Sequence, residues 1–223
     1  MSKNKLEKFA ENETFPNFFQ FGYEQIREEG FPLKGKWSKD FFRNDNPVIL
    51  ELGCGRGEYT VGLAEMYPDR NFIGIDRKGA RMWKGCKISR ENNMQNVAFL
   101  RMQINHITHY FDANEVSEIW ITFPDPQPKR SKVNKRLTSP LFLDFYRQIL
   151  QQNGIIHLKT DDDLLYAYTL EVVGNLKEEL LEKYENINTA THSNETLNIE
   201  TYYEKMWKEE GKSIKYIKFM FKV

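Results

Sequence analysis

From Pro47 onward, apolar and polar positions fall into a repeating order. PVILEL is a short apolar run predicting a strand, followed by the glycine turn GCGRG. EYTVGLAEMYP then predicts a helix ended by Pro68. NFIGID predicts a second strand, KGARMWKGCKISRENN a helix, and NVAFLRM a third strand. EIWITF predicts a fourth strand, which runs straight into a proline-rich stretch. SPLFLDFYRQILQQNG predicts a helix with Pro140 in its first turn and Gly154 past its end. GIIHLKT predicts a fifth strand, and DDDLLYAYTLEVVGNL a helix with Thr160 and Asp163 spaced as a capping box. YENINTA and IKYIKFMFK predict two closing strands with no crossover helix evident between them.

Strands and helices thus alternate five times, and each strand is nearly continuous in apolar residues, as strands covered on both faces are. The expected fold class is α/β: a doubly wound, mostly parallel, Rossmann-like sheet with an antiparallel C-terminal strand pair. Residues 1–46 show no such period. Phe15, Phe18, Phe19, Phe21 and Tyr23 alternate there with charges. The expected organisation is an N-terminal extension over 1–46, flexible at its start and packed on the domain later, and one domain over 47–223.

Composition changes little in that picture. The chain has 223 residues, 40% of them apolar and 29% charged, which suits one large domain. No apolar run approaches the roughly 18 residues of a membrane span. The start, MSKNKLEKFAENE, has no apolar signal-peptide core. Cys54 and Cys86 form no CxxC pair, so a reducing, cytoplasmic setting is expected. Thirty-two cations balance 32 carboxylates, which argues against bulk attraction to nucleic acid. A nucleic-acid partner would need a local patch. FPDPQPKRSKVNKR, residues 123–136, offers one: Lys129, Arg130, Lys132, Lys135 and Arg136 follow a proline loop that holds a lone acid, Asp125.

In a doubly wound sheet, ligands bind beyond the carboxyl ends of the strands. Gly53–Gly57, Asp76, Gln103, Asn105, Asp125 and Asp161 all fall at such ends. ELGCGRG has the spacing E-x-G-x-G-x-G; a dinucleotide fingerprint would place its third glycine at position 58, where Glu58 stands. A glutamate facing a pyrophosphate at a helix N-terminus is repulsive, so a cofactor without phosphate fits better. S-adenosylmethionine is one: Glu51 helps neutralise its cationic amino and sulfonium side, and Gly53 and Gly55 let the backbone approach closely. Asp76, about 20 residues past the turn, is placed to accept both ribose hydroxyls; the bland alternative is a cap on the following helix. Cys54 reads as a small filler rather than a nucleophile.

ELGCGRGEY, FIGID, TFPDPQPKRSKVNKRL, HLKTD and TYYEKMW, in this order and spacing, resemble the bacterial tRNA (guanine-N7)-methyltransferases, a family of class I S-adenosylmethionine-dependent enzymes. The resemblance covers about residues 47–223. It implies methyl transfer from S-adenosylmethionine to guanine N7 in the variable loop of tRNA. Carried over by position, Glu51, Gly53, Gly55, Asp76 and Gln103 match cofactor positions. Asp125 matches the catalytic-site aspartate, which also counts with the cofactor set. Lys129, Asp161, Thr201 and Glu204 match substrate positions. The chain departs from the family at Gln127, where tryptophan is usual, and at Gln103, which is often acidic.

Such a reaction needs no general base, since N7 already carries an in-plane lone pair. His106, His109, His157 and His192 are therefore read as structural. Asp125 is expected to address the base, and the basic loop 129–136 the phosphate backbone. No metal and no membrane partner are expected. Without the resemblance, Thr201 and Glu204 read as a capping box before EKMWKEEG. Two alternatives remain: a methyltransferase on another acceptor, which the basic loop disfavours, and a non-catalytic RNA-binding module, which would not need Glu51 and Asp76. The glycine spacing disfavours a nicotinamide oxidoreductase.

Overall fold

The computed structural model describes residues 3–190 and 192–222. It divides into two compact units, 1–112 and 113–223. Met1 and Ser2, at the expected flexible start, lie outside the described residues. Among those described, no helix is long and apolar enough to cross a membrane.

In the first unit, helix α1 (Lys3–Asn12), strand β1 (Phe18–Gln20) and helix α2 (Tyr23–Glu29) precede β2 (Val48–Leu52). α3 (Glu58–Met66), β3 (Asn71–Asp76), α4 (Gly79–Glu91) and β4 (Val97–Arg101) follow. The strands lie in the order β1-β4-β3-β2, all pairs parallel. β2 is buried along its whole length, as its VILEL sequence requires of a strand covered on both faces.

The segment before Pro47 is more ordered than its pattern suggested. β1 adds a three-residue edge strand beside β4. α1 packs on α4, where the Asn12 amide donates to the Gly79 carbonyl at 2.9 Å and the Trp83 indole N–H to Glu11 at 2.7 Å. Phe19, Phe31, Phe41 and Phe111 surround Trp37, which is fully buried and donates to the Tyr110 carbonyl. Of the aromatics that showed no period, Phe19 in β1 packs on Trp37 and Phe21 on Phe31, partners that lie beyond their own short segment.

In the second unit, β5 (Val116–Thr122) leads through the proline loop to α5 (Pro140–Arg147) and β6 (Leu150–Thr160). α6 (Asp163–Asn175), β7 (Glu179–Tyr184), α7 (Tyr202–Glu209) and β8 (Lys215–Met220) complete it. The order is β5-β6-β8-β7, with β5–β6 parallel and both pairs of β8 antiparallel. The α/β class, the mostly parallel strands and the antiparallel closing pair are as expected.

Four local expectations need correction. The helix predicted over 139–154 stops at Arg147: Ile149 and Leu150 are buried, and Leu150 already pairs with Val116. The polar run after it bulges out of the ladder, with Asn153 at φ +65°. The first strand of the closing pair is Glu179–Tyr184, not YENINTA, because Asn186 folds its side chain back onto the Asn188 N–H at 3.0 Å and starts a turn. A helix, α7, does lie between the closing strands. Finally, Asp162 rather than Thr160 caps α6, accepting from the Leu165 N–H at 2.7 Å.

One packing constraint sets the glycine turn. A Cβ at Gly57, Gly74 or Gly85 would lie 2.5, 2.8 or 2.6 Å from the ring of Phe99, which is fully buried. One at Gly85 would also sit 2.9 Å from the Arg56 carbonyl. Gly85→Ala should therefore destabilise the protein by about 1–3 kcal/mol through overpacking. The check is a urea midpoint for the single variant and for Gly85→Ala combined with Phe99→Leu. The smaller side chain should recover part of the loss, and a Gly85→Ala midpoint equal to wild type would contradict the packing argument.

Candidate active site

The first unit supplies the glycine turn. The N–H groups of Gly53 and Cys54 both donate to the Ile75 carbonyl, at 2.8 and 3.0 Å, and that of Gly57 to the Cys54 carbonyl at 2.7 Å. Gly53, Gly55 and Gly57 have φ of +80°, +55° and +74°, which a side chain would strain. Gly57 heads α3 and carries no side chain to cap it. Glu51 does that work: its carboxylate accepts the Thr60 N–H at 2.8 Å and the Thr60 hydroxyl. It thus satisfies one of the helix's open donors and puts negative charge at its positive end. Glu51 is buried.

Asp76 bridges the turn and the segment after β3. One oxygen accepts the Gly55 N–H at 3.0 Å and the other the Lys78 N–H at 2.8 Å. It is not the N-cap of α4, a position held by Lys78. Gln103 is exposed, and its carbonyl accepts the His106 N–H at 3.0 Å. Burial, with the nearby carboxylates of Glu51 and Asp76 adding to it, pushes the Cys54 thiol well above its usual range. That suits a filler and not a nucleophile.

The second unit supplies the proline loop. It leaves β5 through Phe123, whose N–H donates to the Lys159 carbonyl at 2.8 Å. Asp125 is exposed and accepts the Gln127 N–H at 3.0 Å, closing an Asx turn. Gln127 has φ +45°. Its main chain is held from both sides, because Arg136 donates to its carbonyl at 3.2 and 3.3 Å and to that of Pro126 at 3.1 Å. Arg136 also lies over the Tyr168 ring, 4.3 Å from its centroid. At 5% exposure, Arg136 is a clamp for the loop, and its expected place among the phosphate-gripping cations is corrected. Lys129, Arg130, Lys132 and Lys135 are exposed on and beside a turn of 3-10 helix, Arg130–Lys135. None of the four has an acidic partner among the described residues.

Asp161, past the end of β6, pairs with Lys212 at 3.3 Å. Thr201 caps α7, accepting the Glu204 N–H at 3.1 Å. Glu204 has no exposed surface; its carboxylate meets Lys159 at 2.8 Å and Lys208 at 3.3 Å. The capping half of the bland reading therefore holds for Thr201, while the Glu204 carboxylate is turned inward onto two lysines. Lys159, which the sequence reading passed over, is fully buried and also donates to the carbonyls of Leu197 and Ile199 at 2.9 and 3.1 Å. Burial lowers its pKa, and Glu204 opposes that shift. A lysine inside the apolar run IIHLKT was the available signal.

Each unit thus gathers its own set: Glu51, Gly53, Gly55 and Asp76 around the glycine turn, and Asp125 with Lys129 in the proline loop. Among the described residues, no group of three or more His, Cys, Asp or Glu side chains is arranged to hold a metal ion. His157 stacks on Trp120 at 3.8 Å between centroids and shares a 2.7 Å hydrogen bond with the Tyr216 hydroxyl, a structural role.

A family model described as "Putative methyltransferase" matches residues 45–217. The chain is 51% identical to a tRNA (guanine-N(7)-)-methyltransferase of Christiangramia forsetii, over 99% of each chain. It is 42% identical to the enzyme of the same name from Cytophaga hutchinsonii, again over 99% of each. Among solved structures it resembles the 16S rRNA methyltransferase KamB, with a TM-score of 0.61 at 13% identity over 92% of this chain and 96% of that one. A 16S rRNA (adenine(1408)-N(1))-methyltransferase from Catenulisporales acidiphilia, solved with cosubstrate SAM, gives a TM-score of 0.55 at 12% identity, over 84% and 90%.

The loop geometry separates the roles of Arg136 and Gln127. Arg136→Ala leaves two carbonyls without their donor and should lower turnover by about tenfold or more, through misplacement of Asp125. Gln127→Ala keeps the main-chain contacts and should stay within about tenfold of wild type. Single-turnover assays of both variants decide it. Equal rates for Arg136→Ala and wild type would remove the clamp from the argument.

Proposed function

The chain belongs to the tRNA (guanine-N(7)-)-methyltransferase family, and on that premise we propose that it transfers the methyl group of S-adenosylmethionine to N7 of a guanine in the variable loop of tRNA, giving 7-methylguanosine. The observation that carries this reading is the proline loop: an exposed carboxylate, Asp125, held by Gln127 and by the Arg136 clamp, beside four exposed cations. We assign residues 47–223 to the methyltransferase domain and 1–46 to its N-terminal extension.

Two features of the chain fit the cofactor. A Cβ at Gly53 would meet nothing within 4 Å, and one at Gly55 only the Gly53 carbonyl at 3.9 Å, so the turn's backbone faces open space. Each Asp76 oxygen accepts one N–H, and a carboxylate oxygen has a second lone pair for a ribose hydroxyl. When bound, S-adenosylmethionine supplies a sulfonium-activated methyl carbon, which guanine N7 attacks with its lone pair while the C–S electrons stay on sulfur. No proton leaves N7, so no residue acts as base. Positive charge appears on the purine, and Asp125 holds the base and favours that charge. The three prolines and the Arg136 clamp keep the carboxylate in place, so little freedom is lost on binding. Glu51, Asp76 and Gln103 would hold the cofactor. Lys129, Asp161 and Thr201 face the substrate, and buried Glu204 positions Thr201 and the start of α7.

The direct test is incubation of unmodified tRNA with labelled S-adenosylmethionine, followed by nucleoside analysis. Label in 7-methylguanosine is expected; label only in another nucleoside would overturn the assignment. In the same assay, Asp125→Ala should lose about a hundredfold or more in single-turnover rate, because positioning effects reach that size. Its affinity for S-adenosylmethionine should change little, and near-normal turnover would reject the role.

The exposed cations have their own signature. Replacing Lys129, Lys132 and Lys135 by Ala should flatten the dependence of log affinity on log salt by about 2–3 units, since each phosphate contact contributes roughly 0.7–0.9. Arg136 is left in place so that the loop stays clamped. An unchanged slope would mean that this loop does not touch phosphate.

A further inference from the structure

A second concentration of positive charge lies in the first unit, where neither the glycine turn nor the proline loop makes use of it. Six cations, Lys5, Lys8, Arg77, Lys78, Arg81 and Arg101, line a cavity of about 760 Å³. They come from α1, from the segment between β3 and α4, from the first turn of α4 and from the end of β4. Among the described residues, no carboxylate lines the cavity. None of the six cations has an ion-pair partner among the described residues.

The arrangement is held in place and is not a loose fringe of surface charge. The Arg101 guanidinium donates to the Gln20 side-chain carbonyl at 2.8 Å and the Arg77 carbonyl at 3.3 Å, and lies 5.2 Å from the Phe9 ring centroid. Lys8 lies over the Trp83 ring at 4.8 Å. All these partners are neutral, so they orient the cations without cancelling their charge. Gly79 lets the elements close together: a Cβ there would lie 3.0 Å from Arg101 and 3.1 Å from Phe9. Glu11, on the same helix as Lys5 and Lys8, is turned to the Trp83 indole instead. Asp76, just before Arg77, is committed to the Gly55 and Lys78 N–H groups.

Six like charges around one cavity repel one another, and a chain of zero formal net charge has carboxylates enough to pair them. We propose that this cavity is an RNA-backbone site that grips phosphates of the tRNA substrate beside the rim of the cofactor turn. The proposal rests on the reading of the substrate as tRNA. Its chemistry favours a polyanion over a single anion, because the cations span four separate chain segments. It offers phosphate contacts and no base-reading amide, so it adds affinity without sequence preference.

The test uses the full chain with Lys5, Lys8 and Arg81 replaced together by Ala, three exposed or half-exposed positions away from Asp76. Affinity for unmodified tRNA is measured over a sodium chloride series, alongside affinity for S-adenosylmethionine and formation of 7-methylguanosine. The expected result is a slope of log affinity against log salt flattened by about 2–3 units and affinity at least about tenfold weaker near 0.15 M salt, with cofactor affinity unchanged. A Lys5→Arg, Lys8→Arg, Arg81→Lys variant keeps the charge and should restore the slope, which separates charge from folding. An unchanged slope in the alanine variant, while wild type makes 7-methylguanosine, overturns this site and leaves the enzyme reading standing. Loss of cofactor affinity with an unchanged slope also overturns it, by placing the cations in cofactor binding. A wild type that neither binds nor methylates tRNA overturns both.

Discussion

The ammonium group of Lys159 has no contact with water, and that fact organises the second unit. A buried cation must have its charge and its three donors met inside the protein, or it costs several kcal/mol. Glu204 and the carbonyls of Leu197 and Ile199 meet them, at 2.8, 2.9 and 3.1 Å. The same residue's own carbonyl takes the Phe123 N–H at 2.8 Å. One position on β6 therefore fixes two things at once: the point where the proline loop leaves β5, and the seat of the segment that carries Thr201. Removing either charge of such a pair costs about 3–5 kcal/mol, because the other is left buried and uncompensated. The pair is weak as a source of stability and strong as a source of register, since few other placements of this segment would satisfy that ammonium.

Arg136 makes the same kind of contribution at the other end of the loop. A proline loop is stiff along its own chain, but stiffness does not place it. Placement comes from the guanidinium, whose fork reaches two successive carbonyls. The fork geometry is particular to arginine; a lysine would offer a point charge. The position of Asp125 thus depends on a residue eleven places along the chain.

The alternation of strands and helices from Pro47 onward and the glycine turn were legible in the sequence because they rest on local signals: apolar runs, glycine punctuation and the polar residues at strand ends. What misled the reading depends on partners far away in sequence. Ile149 and Leu150 suit a helix face as well as a strand, and it is the ladder to Val116 that makes them strand. Glu204 stands where a capping box places its acid, yet Lys159, forty-five residues earlier, draws it into the core. Arg136 is one cation among five in the run, and nothing in the run marks it as the buried one. The aromatic stretch before residue 46 has no period because its rings meet Trp37 from several segments. In the glycine turn, Glu51 was read for its charge towards a ligand. Its bonds to Thr60 show a second duty at the start of α3, invisible without knowing that Gly57 leaves that helix uncapped.

Charge in this chain is divided by use more than by amount. Lys159 and Arg136 are buried against oxygen acceptors and serve the fold, whereas the cations of the 129–135 stretch and of the α1–α4 cavity keep their charge towards solvent. A formal balance of 32 against 32 hides that division, because long-range attraction for a polyanion depends on where unpaired charges cluster and not on their sum. The same distinction bears on catalysis. N7 methylation asks for no proton transfer, so the chain has no need to tune a histidine or a thiol, and Cys54 and His157 are both pushed by burial towards their neutral forms. What the reaction does ask for is a base and a methyl donor brought together in a fixed orientation. Glu51 on the Thr60 N–H, and Lys159 on Glu204 and the carbonyls of Leu197 and Ile199, each tie a buried charge to a neighbouring segment, and so hold the start of α3 in the first unit and the approach to Thr201 in the second.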